Sequence, residues 1–107
     1  MFYKKDISNY VKALDGVNYK TLSYGSKTSL SEFRLARGSI VPNHKHPHEQ
    51  TGYMISGRMI FTIDGKNFNA EPGDSWCIPS NVEHGVEVLE DSVVIEVFSP
   101  VREDYLP

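Results

Sequence analysis

Cysteine is almost absent from this chain. Cys77 is the only one in 107 residues, so no intrachain disulfide can form. That composition suits a reducing compartment, and a cytoplasmic location is expected. No stretch approaches the roughly 20 apolar residues needed to cross a bilayer, so no membrane partner is expected. The N-terminal "MFYKKDISNY" carries charge without an apolar run behind it and does not read as a secretory signal. Neither charge sign dominates. The net charge is -3 with both signs interspersed, which argues against a nucleic-acid surface. Internal repeats, linkers and low-complexity tracts are also missing, and the length leaves room for one domain, residues 1–107. Helical periodicity is scarce too: only "DISNYVKAL" could hold a turn or two of helix.

What is present is alternation with a period of two. "YKTLSYG" alternates and stops at Gly25, "SLSEFRLARG" stops at Gly38, and "GYMISG" stops at Gly57. "RMIFTIDGKNFNA" reads as a hairpin turning at Asp64-Gly65. "EPGD" is a turn, "SWCIP" a short strand ended by Pro79, and "GVEVLEDSVVIEVF" reads as two strands around a turn near Glu90-Asp91. Short strands with Gly, Pro, Asn or Asp punctuation point to an all-β sandwich or barrel. A barrel can hold one small ligand in its mouth.

Histidine is distributed unevenly. The chain has four, and His44, His46 and His48 fall within five residues, with His84 far downstream. On a strand, His44 and His46 would face the same way, about 7 Å apart at ~3.3 Å rise per residue, close enough to converge on one ion. Strict alternation would add His48 and Gln50, although Pro47 interrupts the ladder. By themselves these imidazoles fit either a metal site or a surface cluster.

The second histidine segment makes the pattern specific. Gly38, "SIVPN", His44-Lys45-His46, "PHE", Gln50, "TGYMIS" and Gly57 resemble the first of two paired motifs of the cupin family. Gly73, "DSWCI", Pro79-Ser80-Asn81, "VE" and His84 resemble the second. The resemblance spans about residues 19–98 and implies a single-domain, RmlC-like jelly-roll barrel, the double-stranded β-helix of cupins. It implies one divalent transition metal (Zn, Ni, Fe or Mn) held by His44, His46, Gln50 and His84. Three departures stand out: Gln50 occupies the usual Glu position, Asn81 a Gly position, and Val88 that of the last Asn. Asn tolerates the left-handed conformation, so the second change is benign. The first leaves the ion's +2 charge unneutralised and departs from the two-histidine, one-carboxylate triad of oxygen-activating iron enzymes. Glu49 is an alternative ligand if the loop bulges.

The C-terminal strand narrows the resemblance. Glu96, Phe98 and Arg102 match, with Glu for Asp, the "D-x-F-x-x-x-R" ending of small cupins of pectin and alginate breakdown. Those enzymes convert cyclic 4,5-unsaturated uronates to the linear keto form. The resemblance implies Glu96 and Arg102 as catalytic residues, with Phe98, Tyr53 and His48 contacting substrate. Met54, Phe61 and Trp76 are further candidates for an apolar wall, and Cys77 is expected to be a packed thiol. A metal-dependent enzyme of isomerase or lyase type, acting on a small anionic carbohydrate-derived molecule, is the leading expectation. The alternatives are a metal-dependent dioxygenase of a small organic acid and a non-catalytic ligand-binding cupin. A homodimer is expected, because "MFYKKDISNYVKAL" is apolar enough to pack on a second copy.

Overall fold

The computed structural model describes residues 1–107 and is almost entirely β. Its strands are β1 (Val11–Leu14), β2 (Val17–Tyr24), β3 (Ser29–Leu35), β4 (Ile40–His44), β5 (Glu49–Ile63), β6 (Lys66–Ala70), β7 (Ser75–Ile78) and β8 (His84–Ser99), followed by a 3-10 turn at Glu103–Tyr105. All pairings are antiparallel. The hairpin β5–β6 turns at Asp64 and Gly65, with φ of 51° and 76°. Two successive positive φ values make the mirror-image turn whose twist matches the strands, and Asp-Gly suits it.

The long strands β5 and β8 organise everything else. They pair with each other from Glu49↔Ser99 to Ile63↔His84. The first half of β5 also pairs with β7 and its second half with β6. The first half of β8 pairs with β4 and its second half with β3, beyond which lie β2 and β1. Each long strand therefore belongs to both walls of a jelly roll. Between the walls lies a core that includes Leu35, Met54, Met59, Phe61, Ile78 and Val94.

Three sequence expectations are corrected. The segment "DISNYVKAL" is not helical. The Asp6 carboxylate accepts hydrogen bonds from the Ser8 amide (2.9 Å) and hydroxyl (2.6 Å), and Asn9 takes φ 65°, which ends any helical turn. Val11–Leu14 then pairs with β2 as an edge strand. Nor does β5 stop at Gly57 or β8 divide near Glu90-Asp91. Both run through, with register shifts between Met54 and Met59. Gln50 and Met54 are buried before the shift, Met59 and Phe61 after it. The inward face thus changes parity, which strict alternation forbids and a bulge permits. Gly57 makes the bend at φ 91°, where a Cβ would collide with the Ser92 side chain and the Asp91 carbonyl. The Ser92 hydroxyl fills the irregularity, accepting from the Arg58 amide (3.1 Å) and donating to the Glu90 carbonyl (2.7 Å).

Urea unfolding should separate this bend from an ordinary glycine. Gly57→Ala combines positive-φ strain with a backbone collision and is expected to cost at least about 1–3 kcal/mol. Gly25→Ala meets nothing within 4 Å and should stay within about 0.5 kcal/mol of wild type.

Candidate metal centre

Three imidazoles converge at one end of the jelly roll. His44 ends β4 and faces His84, the first residue of β8, as its ladder partner. His46 lies in the connection after β4. The turn at residues 79–82 holds that connection: the Asn81 amide donates to the His46 carbonyl at 2.9 Å, and the Ser80 hydroxyl donates to the Pro47 carbonyl. Asn81 has φ 62°, which asparagine accommodates with little strain. The two motif segments are thus tied by hydrogen bonds as well as by their histidines. The ligand-capable nitrogens of His44, His46 and His84 all lie within 4.8 Å of one another.

The tautomers follow from the hydrogen bonds. His44 Nδ1 is 2.9 Å from the Pro42 carbonyl, His46 Nδ1 2.9 Å from the His48 carbonyl, and His84 Nδ1 2.8 Å from the Val82 carbonyl. A carbonyl only accepts, so each Nδ1 carries the proton and each neutral ring keeps a lone pair on Nε2. Burial holds His84 down at about 4, and burial with the facing Arg102 charge also lowers His46, so both stay neutral at physiological pH.

Gln50, buried near the start of β5, completes the arrangement. Its amide lies against the Glu96 carboxyl, where it favours the charged form, and its Oε1 lies 2.9 Å from His46 Nε2. Two lone-pair atoms face each other there with no proton to share. The gap suits adjacent donors on one cation with bonds of roughly 2.1 Å. This donor set of three neutral imidazoles and an amide oxygen fits a divalent transition ion.

Beside the imidazoles lies a cavity of about 510 Å³ whose wall includes His44, Gln50, His84, Glu96, Phe98 and Arg102. Glu96, on β8, is only 4% exposed. Burial pushes its carboxyl up to about 8, against the opposing pull of hydrogen bonds from Trp76 and Gln50. Arg102 stacks its guanidinium carbon 5.2 Å from the Phe98 ring centre and 4.2 Å from that of Tyr105, while its Nε donates to Asp104 at 3.0 Å.

Other sequence candidates fall elsewhere. Tyr53 is 46% exposed and absent from the cavity wall, because it sits an odd number of residues from inward-facing Gln50. His48 is half-buried beside His46, with ring centres 5.5 Å apart, and also stays off the wall because the loop breaks strand alternation. Glu49 points outward and accepts from the Cys77 thiol at 3.4 Å. That cysteine is exposed, not packed. Met54 is buried in the core away from the cavity, whereas Phe61, also buried, does line it as expected. Tyr19, Phe33 and Tyr105 line the cavity without having been anticipated. Tyr105 reaches it only because the 3-10 turn folds back, stacking on Tyr19 at 4.2 Å.

Two measurements follow from this geometry. Elemental analysis should find about one transition ion per chain, lost in His84→Ala and strongly reduced in Gln50→Ala. Stability should also fall as pH rises from 6.5 to 8. The native carboxyl of Glu96 keeps its proton up to about 8, whereas the unfolded one releases it near 4.5. Unfolding therefore releases a proton in this window and gains with pH. Below about 6.5 the depressed His84 opposes that trend, because the unfolded imidazole binds the extra proton there. Melting of metal-free Glu96→Gln should lack the loss between pH 6.5 and 8.

Comparison with known proteins agrees with this architecture. The cupin-domain family (Cupin_2) matches residues 31–99. The pectin degradation protein KdgF of Dickeya dadantii (strain 3937) is 34% identical over 94 residues, which is 86% of each chain. The structure of KdgF from Halomonas sp. superposes with a TM-score of 0.92 at 29% identity, covering 99% of this chain and 98% of that one. An RmlC-like cupin from Shewanella frigidimarina NCIMB 400 reaches a TM-score of 0.87 at 24% identity, covering 99% and 100%. The paired histidine segments, the jelly roll they close and the family match over most of the chain agree: this protein belongs to the cupin family.

Proposed function

We propose that this cupin is a metal-dependent enzyme that opens the ring of a 4,5-unsaturated uronate. The observation that carries the reading is the buried Glu96 carboxyl, set on the wall of a cavity that also presents Arg102, His44 and His84. The similarity to KdgF, named for pectin degradation, favours the same substrate class.

His44, His46, Gln50 and His84 would hold the ion, which with a neutral donor set keeps its full charge and supplies a Lewis acid for the sugar oxygens. Arg102 meets the uronate carboxylate with the guanidinium nitrogens left over from its Asp104 contact. Phe98 covers the apolar side of the ring. The reaction is an isomerisation and needs no oxidant. The C1 hydroxyl loses its proton and C1 becomes an aldehyde. The C1–O5 bond breaks, O5 becomes the C5 ketone oxygen, and the C4=C5 electron pair takes up a proton at C4. A carboxyl with its pKa near neutrality can give the C4 proton and recover the one from C1. Neither Glu49 nor Glu96 joins the imidazole cluster, so the carboxylate-ligated site of many oxygen-activating iron enzymes is not favoured.

No helix is long and apolar enough to cross a membrane. Met1, Phe2, Ile7, Val11 and Leu14 are exposed, and β1 pairs only with β2. These features support a homodimer formed through the N-terminal segment.

The test is loss of the ring alkene's ultraviolet absorbance when 4,5-unsaturated uronate monosaccharides meet metal-loaded protein. Glu96→Gln should reduce kcat by about 10²–10⁴-fold, the usual contribution of a positioned acid–base group. Arg102→Ala should mainly raise KM. A metal-loaded wild type that leaves these sugars unchanged rules the reading out.

A further inference from the structure

The ladder places Gly52 of β5 opposite Trp76 of β7 on one side and Glu96 of β8 on the other. All three positions face inward. Two strand spacings separate Trp76 from Glu96, roughly 10 Å between their backbones, beyond the reach of ordinary cross-strand neighbours. The indole nonetheless reaches the carboxylate: Trp76 Nε1 is 3.0 Å from Glu96 Oε1 and 3.2 Å from Oε2. It does so by crossing the backbone of β5 where that strand has no side chain. A Cβ at position 52 would collide with both Trp76 Nε1 and Glu96 Oε2. Phe61, its ring centre 4.9 Å away, packs against the indole.

We propose that Trp76 is a positioning residue, its indole N–H reaching through the gap at Gly52 to fix the plane of the Glu96 carboxyl towards the cavity. This rests on the acid–base role proposed for Glu96. Trp76 is not on the cavity wall, whereas Glu96 is, so the indole acts through the carboxyl and does not touch substrate. Indole N–H is a donor only and cannot accept the proton in transit. Its contribution is therefore orientation. It persists through the cycle, because the protonated carboxyl still offers a carbonyl oxygen and the ionised one offers two. The Gln50 amide lies against the same carboxyl from β5, but the hydrogen bonds that orient it come from the indole. Fixing its direction matters because a misplacement of about 1 Å can cost ~10²-fold in rate.

The protein carries its own reporter. Trp76 is the only tryptophan, so a 15N-labelled sample has a single indole N–H resonance, and its position reads the Glu96 bond without substrate or metal. At pH 9, where Glu96 is ionised, Glu96→Gln replaces the carboxylate by a weaker neutral acceptor and should move that resonance upfield. In uronate turnover by the metal-loaded protein, Trp76→Phe should lower kcat about tenfold with KM within about twofold of wild type. Gly52→Ala, which blocks the gap, should lower kcat by ~10²-fold. An indole resonance unmoved by Glu96→Gln overturns the proposal, as does wild-type kcat in a folded Trp76→Phe. If Trp76→Phe fails to fold, the indole shift and Gly52→Ala still decide. If the metal-loaded wild type does not act on uronates, the substrate reading fails alone, and the indole shift by itself decides whether Trp76 holds Glu96.

Discussion

The register of β5 against β8 is the constraint on which the rest of this structure depends. It sets Gln50 opposite Phe98, Gly52 opposite Glu96 and Ile63 opposite His84. A slip of one residue would turn Glu96 and Phe98 out to solvent and bring Val97, which is now exposed, into the cavity. Because both strands bend through the two walls, the same ladder that closes the jelly roll also joins the imidazole end to the carboxyl. The parity change around Gly57 allows one strand to present Gln50 and Met54 inward in its first half and Met59 and Phe61 inward in its second.

The cavity places polar chemistry in an apolar setting, and the surrounding hydrogen bonds make that tolerable. A carboxyl buried among aromatic rings is unfavourable in its charged form, which is why Glu96 is pushed towards neutrality. Trp76 and Gln50 offset part of that cost. Gln50 has a second consequence: its amide lies against Glu96 while its oxygen faces the His46 imidazole. An ionised glutamate at position 50 would set two carboxylates side by side. The amide thus couples the candidate metal centre to the candidate acid–base group without adding charge to either.

Much of the fold was legible because its signals are local. The Asp64-Gly65 turn, the Pro79 stop and the alternation of β2 and β3 each depend on a few adjacent residues. Tyr53, expected to contact substrate, faces outward instead, as an offset of three along a strand from inward-facing Gln50 requires. The continuity of β5 through Gly57 and of β8 past Glu90-Asp91 was not legible, since a glycine bulge and a turn share the same residues. The N-terminal segment misled for a related reason. Its apolar spacing permits a helix, while Asp6, Ser8 and Asn9 settle the backbone otherwise through short-range hydrogen bonds and a left-handed residue.

By itself, the sequence determined the class of structure and the type of donors. A period of two with regular breaks dictates β structure, and two histidine motifs at set spacings mark the family. Residue spacing also foretold that His44 and His46 would lie close together. Only the tertiary structure decided which groups meet: His84 beside His44, the Gln50 amide between imidazole and carboxyl, and the indole of Trp76 over Gly52. Only His46 and Gln50, four apart, are near in sequence; the other contacts join residues 20 to 46 positions apart. Their geometry depends on ladder register and strand bending, and no local pattern of residues encodes either.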